Sequence, residues 1–133
     1  MRKAILMMLL AVVSNSAVAG WVVIGDGESV TIYANPSTIR TGGNKVKMWY
    51  LSDYKIAKTT ANKFGVYVAY MSDKSQAEFD CRGEQYRTLY FSFHSENMGG
   101  GNVVYSNDDP YKWMPIPPES LIESIWKFAC KKR

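Results

Sequence analysis

The sequence predicts an α+β fold: a small antiparallel β-sheet with a C-terminal helix packed on it and one disulfide. Three observations carry that expectation. Stretches of period-two alternation are separated by glycine and proline turns, a 3.6-period stripe is confined to the chain end, and two cysteines stand in a chain that opens like an exported one.

The opening "MRKAILMMLLAVVSNSAVAG" places Arg2 and Lys3 before an apolar run from Ala4 to Val13, then a polar patch, then small residues at the −3 and −1 positions of a cleavage before Gly20. This predicts a signal peptide over residues 1–19 and one domain over 20–133. A membrane anchor would need roughly 20 continuous apolar residues, about twice this run, so no transmembrane segment is expected after signal removal. No cysteine follows the cleavage site to carry a lipid. Loss of Arg2 and Lys3 leaves 14 basic against 12 acidic residues, a formal charge of +2. So slight a basicity, with its one obvious run in the terminal "CKKR", does not suit a nucleic-acid binder.

"WVVIG" reads as a first short strand. "SVTIYA" alternates Val30, Ile32 and Ala34 against Thr31 and Tyr33, and "KVKMWYLSDY" alternates Val46, Met48 and Tyr50 against Lys47, Trp49 and Leu51. Between them, "GDGE" and "NPSTIRTGGN" are turn material, with Pro36 ending a strand and Gly42 and Gly43 suited to a hairpin. Residues 55–67 lack a clean period and read as a loop or irregular edge. "VAYMSDKSQAEFDC" carries a strand into Cys81. In "EQYRTLYFSFHS", Tyr86, Thr88, Tyr90, Ser92 and His94 fall on one face and Arg87, Leu89, Phe91 and Phe93 on the other, the latter being the better core face. "ENMGGGNVVYSN" reads as a glycine turn and a last strand, and "DDPYKWMPIPP" as a proline-held extended segment.

In "SLIESIWKFAC", Ser120 and Glu123 have capping-box spacing. Ile122, Ile125, Trp126 and Ala129 form an apolar stripe that docks the helix, and Cys130 lies one turn beyond Trp126. In an exported chain Cys81 and Cys130 are expected to pair. The loop of about 50 residues they close corresponds to roughly 4 kcal/mol in the chain-entropy account. A metal site has few companions here, since His94 is the only histidine, and a redox couple would more often be a CxxC pair. Free thiols are the other open reading.

"WVVIG", "IYANPSTIR", "VKMWYLSDY", "EFDC" followed by "YRTL", and "WMPIPPESLIESIWKFAC" together resemble the surface-adhesin protein E family of Gram-negative bacteria, over essentially the whole chain after the signal. The resemblance implies an antiparallel sheet packed by a helix and a link between Cys81 and Cys130. It also implies binding of host matrix or serum proteins such as vitronectin, laminin and plasminogen. The sequence departs from the family's lipid-anchored pattern in lacking the lipid-bearing cysteine. A periplasmic, secreted or cell-surface location is equally consistent with the signal.

The nine tyrosines, with Trp49 and Trp113, are more amphipathic rings than a domain of this size easily buries. Lys45, Lys47, Tyr86, Thr88 and Tyr90 are the candidate protein-binding patch, for a host protein or another envelope protein. The alternative is a periplasmic protein of structural, inhibitory or small-ligand-binding role. An exposed patch would favour the first reading and an enclosed pocket the second. An enzyme ranks third: Ser92 and His94 share a strand face without being set up as nucleophile and base, although Glu96, Asp108 and Asp109 lie near in sequence. "GGG" has no following lysine at phosphate-loop spacing. No cofactor, metal site or catalytic residue is expected, and a haem or metal ligand role for His94 stays open at this point.

Overall fold

A computed structural model describes residues 20–132; the predicted signal peptide over 1–19 and Arg133 lie outside the described residues. The alternating stretches form β1 (Val22–Asp26), β2 (Val30–Gly42), β3 (Lys45–Ala61), β4 (Tyr67–Asp80), β5 (Gln85–His94) and β6 (Val103–Asn107), each antiparallel to the next. A two-residue strand, β7 (Met114–Pro115), pairs with Gln85 and Tyr86 at the opposite end of β5 from β6. Helix α1 (Leu121–Lys132) closes the chain.

Directly opposed residues of an antiparallel pair share a face, so the register sorts the side chains. Val46 opposes Phe79 and Met48 opposes Ala77, while Ala34 opposes Tyr50. Val46, Met48, Ala77, Phe79 and Ala34, with Ile32, meet Ile125 and Ala129 of α1 in one buried cluster, against which Tyr50, Ile122 and Trp126 pack. The expected stripe is therefore the docking surface of the helix. Ser120 caps it, accepting from the Glu123 amide at 3.2 Å, whereas the Glu123 carboxylate reaches the amide of Glu119 rather than that of Ser120. Cys81 is bonded to Cys130, and the Trp126 indole donates to the carbonyl of Asp80 at 3.0 Å. Bond and staple hold two successive turns of the helix to the end of β4.

Three local expectations are corrected. β2 does not end at Pro36. It continues to Gly42 through a bulge that sets the span Asn35 to Arg40 against Trp49 to Lys47, and the Thr38 hydroxyl takes the Trp49 amide at 3.0 Å in place of a ladder bond. Residues 55–67 are loop only over 62–66, the hairpin turn: β3 runs to Ala61, and its missing period comes from a second bulge between Asp53 and Lys58. In β5, Thr88 opposes Ala77 but Tyr90 opposes Gln76, so the extra residue Leu89 reverses the parity. Tyr86 and Thr88 thus share the helix side with Phe91 and Phe93, whereas Arg87 does not.

Beyond the helix, that side carries Asp73, whose carboxylate accepts from the Tyr54 hydroxyl at 2.7 Å. Burial raises the Asp73 carboxyl to about 6, against the lowering effect of its bonds to Tyr54 and Ser52 and of the Lys58 charge. The folded chain therefore holds this proton more tightly than the unfolded chain, whose aspartates titrate near ~3.9. Stability from this group is greatest below ~4 and falls as pH rises through about 6. Asp73→Asn is expected to stabilise at pH ~7 by on the order of 2 kcal/mol, a gain that fades toward pH ~4. Urea midpoints at the two pH values measure it, and a gain that does not change with pH would contradict the ionisation account.

Candidate functional site: the uncovered face of the sheet

The same register that sends Val46, Met48, Ala77 and Phe79 toward the helix sends Lys45, Lys47 and Trp49 of β3, with Lys74, Gln76 and Glu78 of β4, to the other side. After the parity change, Tyr90, Ser92 and His94 join them. Among the described residues no helix covers this open face. One end is overlaid by the loop through the single 3-10 turn Asn97–Gly99. That loop is pinned by Asp53, which accepts from Asn97 Nδ2 and the Met98 amide, and by Ser72, which donates to the Glu96 carbonyl and accepts from the Gly99 amide. Gly99 has φ +72°, and a Cβ there would lie 3.1 Å from Lys74 Cε. Glycine at this position thus lets the loop close down on the lysine stem.

Next to the loop lies a groove of about 550 Å³ lined by Trp49, Lys74, Gln76, Tyr90, Ser92, His94 and Val103. Trp49 and Tyr90 meet edge to face with ring centroids 5.5 Å apart, an arrangement that fixes both rings as a wall. Past them, Arg87 grips Glu78 at 2.8 Å, and the Arg87 guanidinium and the Lys45 ammonium both approach the Trp113 ring, 5.0 and 5.7 Å from its centroid. Arg40 opposes Lys47 on the neighbouring strand. Among the described residues the ion pairs are Lys55 with Asp26, Arg87 with Glu78, and Lys127 with Glu123. Arg40, Lys45, Lys47 and Lys74 therefore meet no carboxylate within ion-pair distance, and the open face carries cations around an aromatic groove.

Ser92 and His94 differ from expectation. They share a 2.7 Å hydrogen bond between Oγ and Nε2, both side chains buried. Among the described residues no side chain or backbone group bonds to His94 Nδ1. Burial lowers the His94 pKa, and the Lys74 charge lowers it further, which keeps the imidazole neutral at physiological pH. Among the described residues no three His, Cys, Asp or Glu side chains gather as a metal site.

The predicted patch is divided by the sheet. Lys45, Lys47 and Tyr90 lie on the open face, while Tyr86 packs against the core on the helix side, and Thr88 opposes Ala77 there. The bulge at Leu89 is the reason, because one extra residue moves every later side chain to the opposite face. Lys74 and Gln76 escaped the sequence reading. Their signal was the alternation of Lys74, Gln76 and Glu78 with Ser75, Ala77 and Phe79, obscured by serine and alanine at core positions.

Fold and site together define a stapled sheet-and-helix scaffold with one sheet face left uncovered by the helix. Residues 21–131 match the family model described as surface-adhesin protein E. The chain belongs to the surface-adhesin protein E family. Among solved structures it is similar to Haemophilus influenzae protein E, with a TM-score of 0.61 at 11% identity, covering 85% of each chain. A second crystal form of that protein gives a TM-score of 0.63 at 11% identity, with 85% of this chain and 88% of the other covered. A structure of protein E from non-typeable H. influenzae gives 0.60 at 11% identity, with 85% and 76% covered. No curated protein sequence matches the chain. Among the described residues no helix is long and apolar enough to cross a membrane.

Proposed function

We propose that this chain is an exported, non-catalytic binding module that works without a cofactor and takes up a partner protein on its open face, at the cell surface, in the periplasm or after secretion. The observation that carries the reading is the set of four cations around the Trp49 and Tyr90 wall that, among the described residues, stand outside ion-pair distance of any carboxylate. Such a face suits a partner that presents acidic side chains beside an apolar anchor. Host matrix or serum proteins fit the family reading, and another envelope protein meets the same chemistry. The groove supports a second reading, since its volume is that of a small-molecule site. A small ligand would leave the flanking Arg40, Lys45 and Lys47 without a role.

Biolayer interferometry of the oxidised protein over immobilised vitronectin, laminin and plasminogen, with albumin as control, tests the proposal. Saturable binding that survives physiological salt supports it, and signals matching albumin or vanishing with salt would sink the host-protein form. Trp49→Ala and Tyr90→Ala are expected to weaken binding at least about tenfold, and Lys47→Glu to slow association and flatten its salt dependence. Tyr86→Ala, on the helix side, should lower stability and leave the affinity of the folded fraction unchanged. Equal affinity losses at Tyr86 and Tyr90 would contradict this choice of face.

A further inference from the structure

The hairpin joining β3 to β4 exposes what a folded domain ordinarily hides. Ile56 and Phe64 are each 77% exposed, Tyr67 is 76% and Val66 is 56%. Lys58 and Lys63 are interspersed with them, Lys55 is held by Asp26 at the base of the hairpin, and from Tyr54 to Ser72 the chain has no Asp or Glu. Val66 and Tyr67 are adjacent, so they point to opposite sides of the ribbon, and both sides of the tip are apolar. A flat protein partner would cover one side. A layer into which the tip sinks would cover both.

The backbone at the tip is prepared for a poorly hydrated surrounding. Lys58 to Ala61 pair with Tyr70 to Tyr67 across the hairpin. The turn is closed by the Asn62 amide on the Val66 carbonyl at 2.8 Å and the Gly65 amide on the Asn62 carbonyl at 2.9 Å. The Asn62 side-chain oxygen accepts from the amides of Phe64 and Val66 at 2.9 and 3.0 Å. Amides that are otherwise costly to remove from water are thereby satisfied internally. Phe64 is held at the apex with the Lys63 ammonium 5.3 Å from its ring centroid, an aromatic group beside a cation that suits the level of lipid headgroups.

We infer that the β3–β4 hairpin is a membrane-docking tip that inserts Phe64, Val66 and Tyr67 into the interface of an anionic bilayer, with Lys58 and Lys63 set against the headgroup phosphates. These residues are separate from the cations and rings of the open face, so the inference stands or falls independently of the partner-protein reading. The lysines attract the anionic surface and the apolar side chains hold the tip there, each a contribution too weak to anchor the domain alone.

The test is co-sedimentation of the exported, oxidised protein, its N-terminus verified by mass spectrometry, with vesicles of phosphatidylglycerol in phosphatidylethanolamine and with phosphatidylcholine vesicles. Binding is expected to the anionic vesicles, weakened by salt, and much reduced on phosphatidylcholine. Phe64→Ser combined with Tyr67→Ser is expected to reduce the partition coefficient at least about tenfold without moving the thermal midpoint, because both side chains are exposed. Lys63→Gln should weaken binding and its salt dependence. Leu121→Ser, which removes an exposed apolar group on the helix, should change nothing. No binding to the anionic vesicles, or binding unaffected by the hairpin substitutions, overturns the inference. So does concentration-dependent self-association lost in the hairpin variant with no vesicle binding, which would assign the tip to a second copy of the chain.

Discussion

Replacing Cys81 and Cys130 together by alanine is expected to lower stability by about 4 kcal/mol, because the bond closes a loop between residues 49 apart in sequence and its loss returns that freedom to the unfolded chain. The loss is expected to begin at α1. Twelve residues are too few for a stable isolated helix, and without the bond Ile125, Ala129 and the Trp126 hydrogen bond must hold it alone. Amide exchange should therefore show protection falling in α1 before it falls in β3 and β4. Coincident urea midpoints for the oxidised protein and the double variant would show that the staple adds no stability. Uniform loss of protection would show that helix and sheet unfold as one unit. The open face is built from β3, β4 and β5, so partner binding should persist in whatever fraction keeps the sheet.

Phe79→Ala is expected to cost about 3 to 5 kcal/mol. Phe79 is the largest fully buried side chain, standing opposite Val46 and Tyr86 in the layer between sheet and helix. Truncation leaves a cavity under α1 that the surrounding strands, fixed by their ladders, cannot close. For a domain whose total stability is of the order of 5 to 15 kcal/mol, the variant approaches the unfolding threshold at physiological temperature. Phe79→Leu, which retains most of the volume, should cost less than half as much. Calorimetry of both variants with the disulfide intact measures this, and an alanine variant within about 1 kcal/mol of the parent would mean that the layer collapses to fill the space. Together with Asp73→Asn, the pair separates two halves of the helix side. Near the helix, burial of an apolar ring stabilises; beyond it, burial of a carboxylate costs stability above its raised pKa of about 6.

Much of the fold was legible because its signals are local. The alternation in Val30, Ile32 and Ala34 and in Val46, Met48 and Tyr50 named the core face before any pairing was known, and Lys47 and Trp49 followed as the other face. The spacing of Ser120 and Glu123 marked the start of α1, and the stripe from Ile122 to Ala129 named its docking side. Compartment chemistry paired the cysteines. The family resemblance rested on those stretches, and the match over residues 21–131 agrees with it.

The candidate site was legible only in part, because what broke the reading was register. A bulge adds residues to one strand without leaving a sequence signature, and each extra residue exchanges the two faces. At Leu89 that exchange separated Tyr86 from Tyr90 and turned Ser92 and His94 onto the open face. Between Asp53 and Lys58 it hid the far end of β3 and with it the exposed hairpin. The sequence alone determined which residues prefer water, where the chain turns, where the helix starts and which sulfurs pair, since each depends on neighbours a few residues apart or on compartment chemistry. Tertiary structure alone decided which polar residues share a face, which cations lack partners and what the helix leaves bare. Those outcomes depend on the register between strands distant in sequence and on the direction from which α1 packs, and local propensity encodes neither.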